Sequence, residues 1–230
     1  MILPALITRS NIWRMGLLCG VVFLFGYMLP NNFHLYTPQY LPLTEVDRMI
    51  PLAPWTIYIY ISEYILFTIA YVLYRTDLAR NKYVWAYCGT LFVAGLFYVF
   101  YPVAYPRHDF PLPEATQGLT RYTFEAMRWL DKPTNCFPSM HVCCCLLAAF
   151  GFFEKGESRI MAWVFLVWAI AIGLSTLPTK QHYAVDVLGG LALALAGYWV
   201  FFKRTEYVST AQYRDWLIAR CSRWRTERSD

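Results

Sequence analysis

The stretch Lys180–Phe202, KQHYAVDVLGGLALALAGYWVFF, decides how the rest of the chain is read. From Tyr183 onward it runs 20 residues with a single charge, about the length of helix that crosses a bilayer. That charge is Asp186, four residues after His182 and one helical turn away. Residues at i and i+4 share a helix face. A carboxylate on one imidazole nitrogen fixes the tautomer and leaves the other nitrogen free to attack or to accept a proton. An aspartate inside a spanning helix is expensive, which favours a working group over a helix-capping aspartate beside a solvated histidine.

Five further apolar blocks precede it: Trp13–Leu29, Leu52–Tyr74, Tyr83–Val103, Ser139–Phe153 and Ile160–Leu177. The fourth is short, so its first turn is expected below the membrane surface. The 230 residues are 58% hydrophobic and 19% aromatic but only 15% charged, against about 25% charge in a soluble domain. The pattern predicts an all-α polytopic membrane protein with six transmembrane helices. It forms a single membrane-embedded domain over 1–230, with a core at 83–202 and a basic tail at 203–230. No cleavable signal follows the first block, and no internal repeat is seen. Leu119–Leu130 has helical apolar spacing interleaved with Arg121, Glu125 and Arg128, the pattern of a short interfacial helix.

An even number of spans puts both termini on one side. The N-terminus, Arg75–Lys82, Glu154–Arg159 and the tail hold 14 of the 20 Lys and Arg, and the other three loops hold six. The positive-inside rule therefore makes both termini cytoplasmic. The tail contributes Lys203, Arg204, Arg214, Arg220, Arg223, Arg225 and Arg228. These read chiefly as topology-fixing charge, and they could also meet anionic lipid. Arg107, His141, Lys180 and His182 then share the extracytoplasmic face.

His141 follows Pro138-Ser139 in Asn135-Cys136-Phe137-Pro138-Ser139-Met140-His141. Proline suits the first position of a helix, and the free N–H groups after it attract an anion. Ser139 adds a hydroxyl, and a histidine here could protonate a leaving oxygen. Arg107, just outside the third block, matches phosphate geometry by paired hydrogen bonds, or it snorkels to the interface. Lys180 could neutralise a phosphate oxygen, or it is a surface lysine. Glu63 lies within the second block; it could hydrogen-bond a tyrosine or line a substrate cavity, and both readings stay open. Cys143, Cys144 and Cys145 are consecutive, so on a helix they point three ways and cannot chelate one metal.

Together the two histidine segments resemble the type 2 phosphatidic acid phosphatase superfamily. Pro138-Ser139-Met140-His141 matches its Pro-Ser-any-His signature. Its later signature is Ser-Arg, five residues, His, three residues, Asp; here it finds Ser175, Thr176, His182 and Asp186, with threonine where the arginine stands. The first signature is absent in strict form, and Tyr105-Pro106-Arg107 is its counterpart. These departures resemble the branch of inositolphosphorylceramide synthases and their bacterial relatives. The resemblance covers about Tyr83–Phe202. It implies His182 as nucleophile, Asp186 as its orienting acid and His141 as acid for the leaving group. Arg107, Lys180, Ser139 and Ser175 would stand around the phosphate. It implies no metal and no cofactor, because protein cations and helix N–H groups supply the electrostatics.

The expected protein is thus a lipid phosphotransferase or phosphatase of a bacterial inner membrane. Its partners would be membrane lipids and a phospholipid or lipid-linked phosphate, with no nucleic acid; oligomeric state, head group and acceptor stay open. The rival is an inactive lipid-binding or lipid-transporting protein of the same fold, in which loss of His182 would leave binding or flux intact.

Overall fold

The computed structural model describes residues 1–226, with side chains through Cys221. The side chains of Arg223 and Arg225 and the whole of Arg228 lie outside the described residues. The chain is mostly helical. Four helices are both long and apolar enough to cross a membrane: α1 (Ile12–Asn32), α2 (Pro54–Leu73), α3 (Asp77–Phe100) and α7 (Ala184–Lys203). Between them lie the amphipathic α4 (Gly118–Leu130) and two shorter apolar helices, α5 (Met140–Gly151) and α6 (Arg159–Ser175). A last helix, α8, covers Thr210–Thr226. All six apolar blocks are therefore helical, but among the described residues only four helices have spanning length by themselves. The 12 residues of α5 rise about 18 Å, well short of a hydrocarbon layer of about 30 Å.

The shortness of α5 has a packing explanation. Eleven of its 12 residues are buried, and it packs against α2, α3, α6 and α7. It is the axis of the bundle, not part of its lipid-facing wall. Small side chains permit this: Cys143, Cys144, Cys145, Ala148 and Ala149 are all buried, and the cysteines are free thiols. In lipid, helices associate through close packing because the chains around them are equally apolar. At Gly190 of α7 the approach is backbone to backbone: an added methyl would overlap the Ser139 carbonyl oxygen.

Two very short parallel ribbons mark the opposite ends of the bundle. At one end β1 (Ile2–Pro4) pairs with β4 (Glu206–Val208), and the Met1 ammonium donates to the Arg204 carbonyl at 3.0 Å. The beginning of the chain and the segment after α7 thus share an end. Lys82 and Glu154 pair there at 2.6 Å, and the Thr76 hydroxyl donates to Glu157 at 2.8 Å. At the other end β2 (Gln39–Tyr40) pairs with β3 (Val103–Ala104). That end also holds α4 and the loops before α5 and α7.

Candidate active site

His182 and Asp186 are set by the start of α7. Asp186 Oδ2 accepts the Tyr183 backbone N–H at 2.8 Å and lies 3.3 Å from His182 Nδ1. One oxygen therefore both caps the helix and faces the imidazole. The Tyr183 hydroxyl donates to the Ala104 carbonyl at 2.9 Å, fastening the same turn to β3. Asp186 selects the tautomer with hydrogen on Nδ1, which leaves a lone pair on Nε2.

That Nε2 atom is where the second segment arrives. Ser139 is the N-cap of α5, and its backbone N–H donates to the Asp186 carbonyl at 3.1 Å. The two segments are thereby locked in register. Ser139 Oγ and His141 Nδ1 each lie 3.2 Å from His182 Nε2. All four side chains are buried, His182 at 3% exposure and Asp186 at 0%.

Beyond His141 the arrangement continues through residues outside both motifs. Glu63 Oε1 lies 3.0 Å from His141 Nε2, an ion-pair distance slightly off the line of a good hydrogen bond. Asp131 Oδ2 lies 3.9 Å from the same nitrogen. Asp131 is held by two tyrosine hydroxyls, Tyr27 on Oδ1 and Tyr60 on Oδ2, each at 3.0 Å. The Tyr60 ring also lies over the His141 ring, centroids 4.5 Å apart. Both carboxylates are 6% exposed. A buried chain Glu63–His141–His182–Asp186 results, with Asp131 beside its second member. Glu63 sits where α2 is interrupted at Ser62, whose hydroxyl donates to the Ile59 carbonyl at 2.6 Å and accepts from Trp168 Nε1 at 2.8 Å. A serine bonding back along its own helix bends it.

The remaining expected residues surround this core differently. Arg107 Nη1 donates to the Asp131 carbonyl at 2.6 Å, at the C-terminal end of α4, while its buried Nε has no partner among the described residues. Its charge reaches the Cys136 thiol, opposing the burial that pushes that thiol well up. Arg128 also has a buried Nε without a partner among the described residues; burial and the charge of Arg107 pull its pKa down to about 10. Two guanidinium groups that repel each other and keep free N–H groups are suited to an anion. Lys180 faces away from the histidines. It has φ +55°, a left-handed conformation unusual outside glycine. Its ammonium donates to the carbonyls of Asp47 (2.7 Å) and Ile50 (2.5 Å) and lies 4.6 Å from the Phe110 ring centre. Burial lowers its pKa, with Asp47 opposing. The Ser175 hydroxyl donates to the Ile172 carbonyl at 2.7 Å, within its own helix.

Sequence reading left Asp131 and the two tyrosines out of the site. Glu63 carried a signal, a carboxyl in an apolar block, but its partner was not readable. Asp131 carried only its place at the end of an amphipathic helix. The described residues also bring Cys136 Sγ within 4.8 Å of a His182 nitrogen and an Asp186 oxygen, a mixed donor set able to hold a metal ion.

A family model described as the PAP2 superfamily matches residues 29–200. The chain is 30% identical over 167 residues to the uncharacterized protein MJ0662 of Methanocaldococcus jannaschii. That alignment covers 70% of this chain and 64% of the relative, so the chain spans under two thirds of the relative's length.

Proposed function

Because the chain belongs to the PAP2 superfamily, whose membership points to phosphatase or phosphotransferase chemistry, we propose that it moves a phosphoryl group from a phospholipid or lipid-linked phosphate through a phosphohistidine at His182. The observation that carries this reading is the geometry at one nitrogen. His182 Nε2 faces Ser139 Oγ and His141 Nδ1, each at 3.2 Å, while Asp186 holds the opposite nitrogen at 3.3 Å.

Substrate enters by parting the two rings, its phosphate oxygens replacing the His141 and Ser139 contacts. Nε2 attacks phosphorus, the phosphorus–oxygen bond to the leaving group breaks, and His141 gives that oxygen its proton. In the second half an acceptor hydroxyl returns a proton to His141 and attacks phosphorus, and the phosphorus–nitrogen bond breaks. Glu63 and Asp131 favour the imidazolium form of His141 that precedes the first proton transfer. Arg107 and Ser139 bind the phosphate oxygens. Lys180 braces the turn before His182 and adds positive potential from behind; Ser175 supports the same turn, its carbonyl accepting from Thr179. The burial of the site favours an acceptor hydroxyl delivered with a lipid over bulk water.

The lipid character of the substrate is supported by an apolar groove of about 440 Å3 between α1, α2 and α3. A smaller cavity that touches His141 and Glu63 shares Phe23, Phe67 and Tyr87 with this groove. An acyl or isoprenoid chain lying in the groove would lead up to the histidines. The topology proposed with this reading has six crossings, made by α1, α2, α3, α6 and α7 and by the short α5 together with the recessed loop that precedes it, with both termini cytoplasmic and the site extracytoplasmic. Its support is the charge bias of the loops together with the termini and the site lying at opposite ends of the bundle.

The test uses purified protein and labelled phospholipids with product separation. Free phosphate identifies a hydrolase, and a newly phosphorylated lipid identifies a transferase. His182→Ala should abolish both turnover and acid-labile label on the protein; substantial residual turnover in this variant rules out the nucleophile.

A further inference from the structure

We propose that Cys136, His182 and Asp186 form a binding site for a thiophilic divalent cation such as Zn2+, and that occupancy switches the proposed reaction off. Two observations carry the site. The three donor atoms lie within 4.8 Å of one another, and all three residues are buried. Asp186 Oδ1 is fully buried and has no hydrogen-bond partner among the described residues, on a residue with 0% exposure. Its other oxygen already serves Tyr183 N and His182 Nδ1. Such an orphaned buried carboxylate oxygen is costly unless something positive reaches it.

The donor chemistry selects the ion. One sulfur, one imidazole nitrogen and one carboxylate oxygen suit Zn2+ and its soft analogue Cd2+; Mg2+ and Ca2+ prefer all-oxygen shells with more ligands. Metal–ligand lengths of about 2.0–2.3 Å place tetrahedral donors roughly 3–4 Å apart, so closure needs shifts of about 1 Å or less. The backbone holds the donors in place for this. Cys136 N–H donates to the Val103 carbonyl and Ser139 N–H to the Asp186 carbonyl, each at 3.1 Å. A thiolate and a carboxylate neutralise the divalent charge, and the fourth position stays open.

Inhibition follows from proton placement. His182 Nδ1 faces Asp186. A cation bound at Nδ1 takes the lone pair there, so the hydrogen of the neutral ring moves to Nε2. The nitrogen that must attack phosphorus then has no lone pair. Binding also releases the Cys136 thiol proton to solvent. Only this inhibitory consequence rests on the proposed function; the binding itself does not.

The experiment titrates EDTA-treated, full-length protein in detergent with Cd2+ and Zn2+. Binding is read by the ultraviolet thiolate-to-Cd2+ band and by competition with a chromophoric chelator; turnover is followed in parallel. Wild type should bind one cation per chain, show the band and lose turnover, with EDTA restoring it. Cys136→Ser should keep basal turnover, lose the band and bind Zn2+ at least about tenfold more weakly. Cys221→Ser, at an exposed free cysteine, should behave as wild type. Asp186→Asn supplies a second binding readout if Cys136→Ser does not fold. A folded wild type that fails to bind, or a band that survives removal of Cys136, overturns the site. Intact binding in a protein without any turnover would instead count against the phosphotransfer reading.

Discussion

Replacing Glu63 by glutamine tests the part of the site that lies outside the sequence motifs. Glutamine keeps the length and one acceptor oxygen, so packing against His141 is preserved while the negative charge is removed. The distance from Glu63 Oε1 to His141 Nε2 is 3.0 Å, and both side chains are under 10% exposed. At that separation and an effective dielectric of about 20, the attraction of a full ion pair is roughly 5.5 kcal/mol. Desolvation of the two groups offsets a large part of it. A net of about 3 kcal/mol remains to stabilise the imidazolium that must donate to the leaving oxygen. At about 1.4 kcal/mol per decade this is a fall of roughly 100-fold in kcat. KM should change little, because in this reading Glu63 sets how much of His141 is charged before the transfer and does not touch the substrate. The assay is initial-rate kinetics on a short-chain lipid phosphate in mixed micelles, with thermal unfolding by circular dichroism as the check on folding. A kcat within about threefold of wild type in a folded Glu63→Gln protein would refute the role of Glu63. A rise in KM alone would place Glu63 in substrate binding instead.

Asp186→Asn should lower kcat by roughly 10³–10⁴-fold by releasing the His182 tautomer, and should cost about 1 kcal/mol of stability through the weakened cap at Tyr183; near-normal kinetics would show that the pair is structural. Gly190→Ala should cut both the unfolding temperature and turnover, because the new methyl overlaps the Ser139 carbonyl and must push the start of α5 away from His182; an overpacking cost of about 1–3 kcal/mol is expected. Unchanged stability and activity in Gly190→Ala would mean that the contact between α5 and α7 relaxes freely.

The local geometry of the two histidine segments was readable because it depends only on neighbours in sequence. The i, i+4 spacing of His182 and Asp186 fixes their shared face in any helix, and Pro138-Ser139 announces a helix start with His141 in its first turn. The apolar blocks and the loop charges were equally local, which is why all six helices fall where expected. Spanning length was not settled that way. Ser139–Phe153 became a 12-residue helix, because burial on every side by its neighbours removes the need to face lipid over a full bilayer. Lys180 shows the same limit at one residue: its left-handed backbone turns the ammonium toward Asp47 and Ile50, partners more than 120 positions away.

Sequence by itself marked His141, His182 and Asp186 as candidates and placed them in two short segments. Tertiary structure alone decided that Glu63 and Asp131 stand against His141, that one oxygen of Asp186 has no partner among the described residues, and that Cys136 lies beside it. Periodicity fixes neighbours within one helix. Contacts between residues 63, 131, 141 and 182 depend on how separate helices pack, and that depends on the summed shapes of many small side chains along α5 and α7.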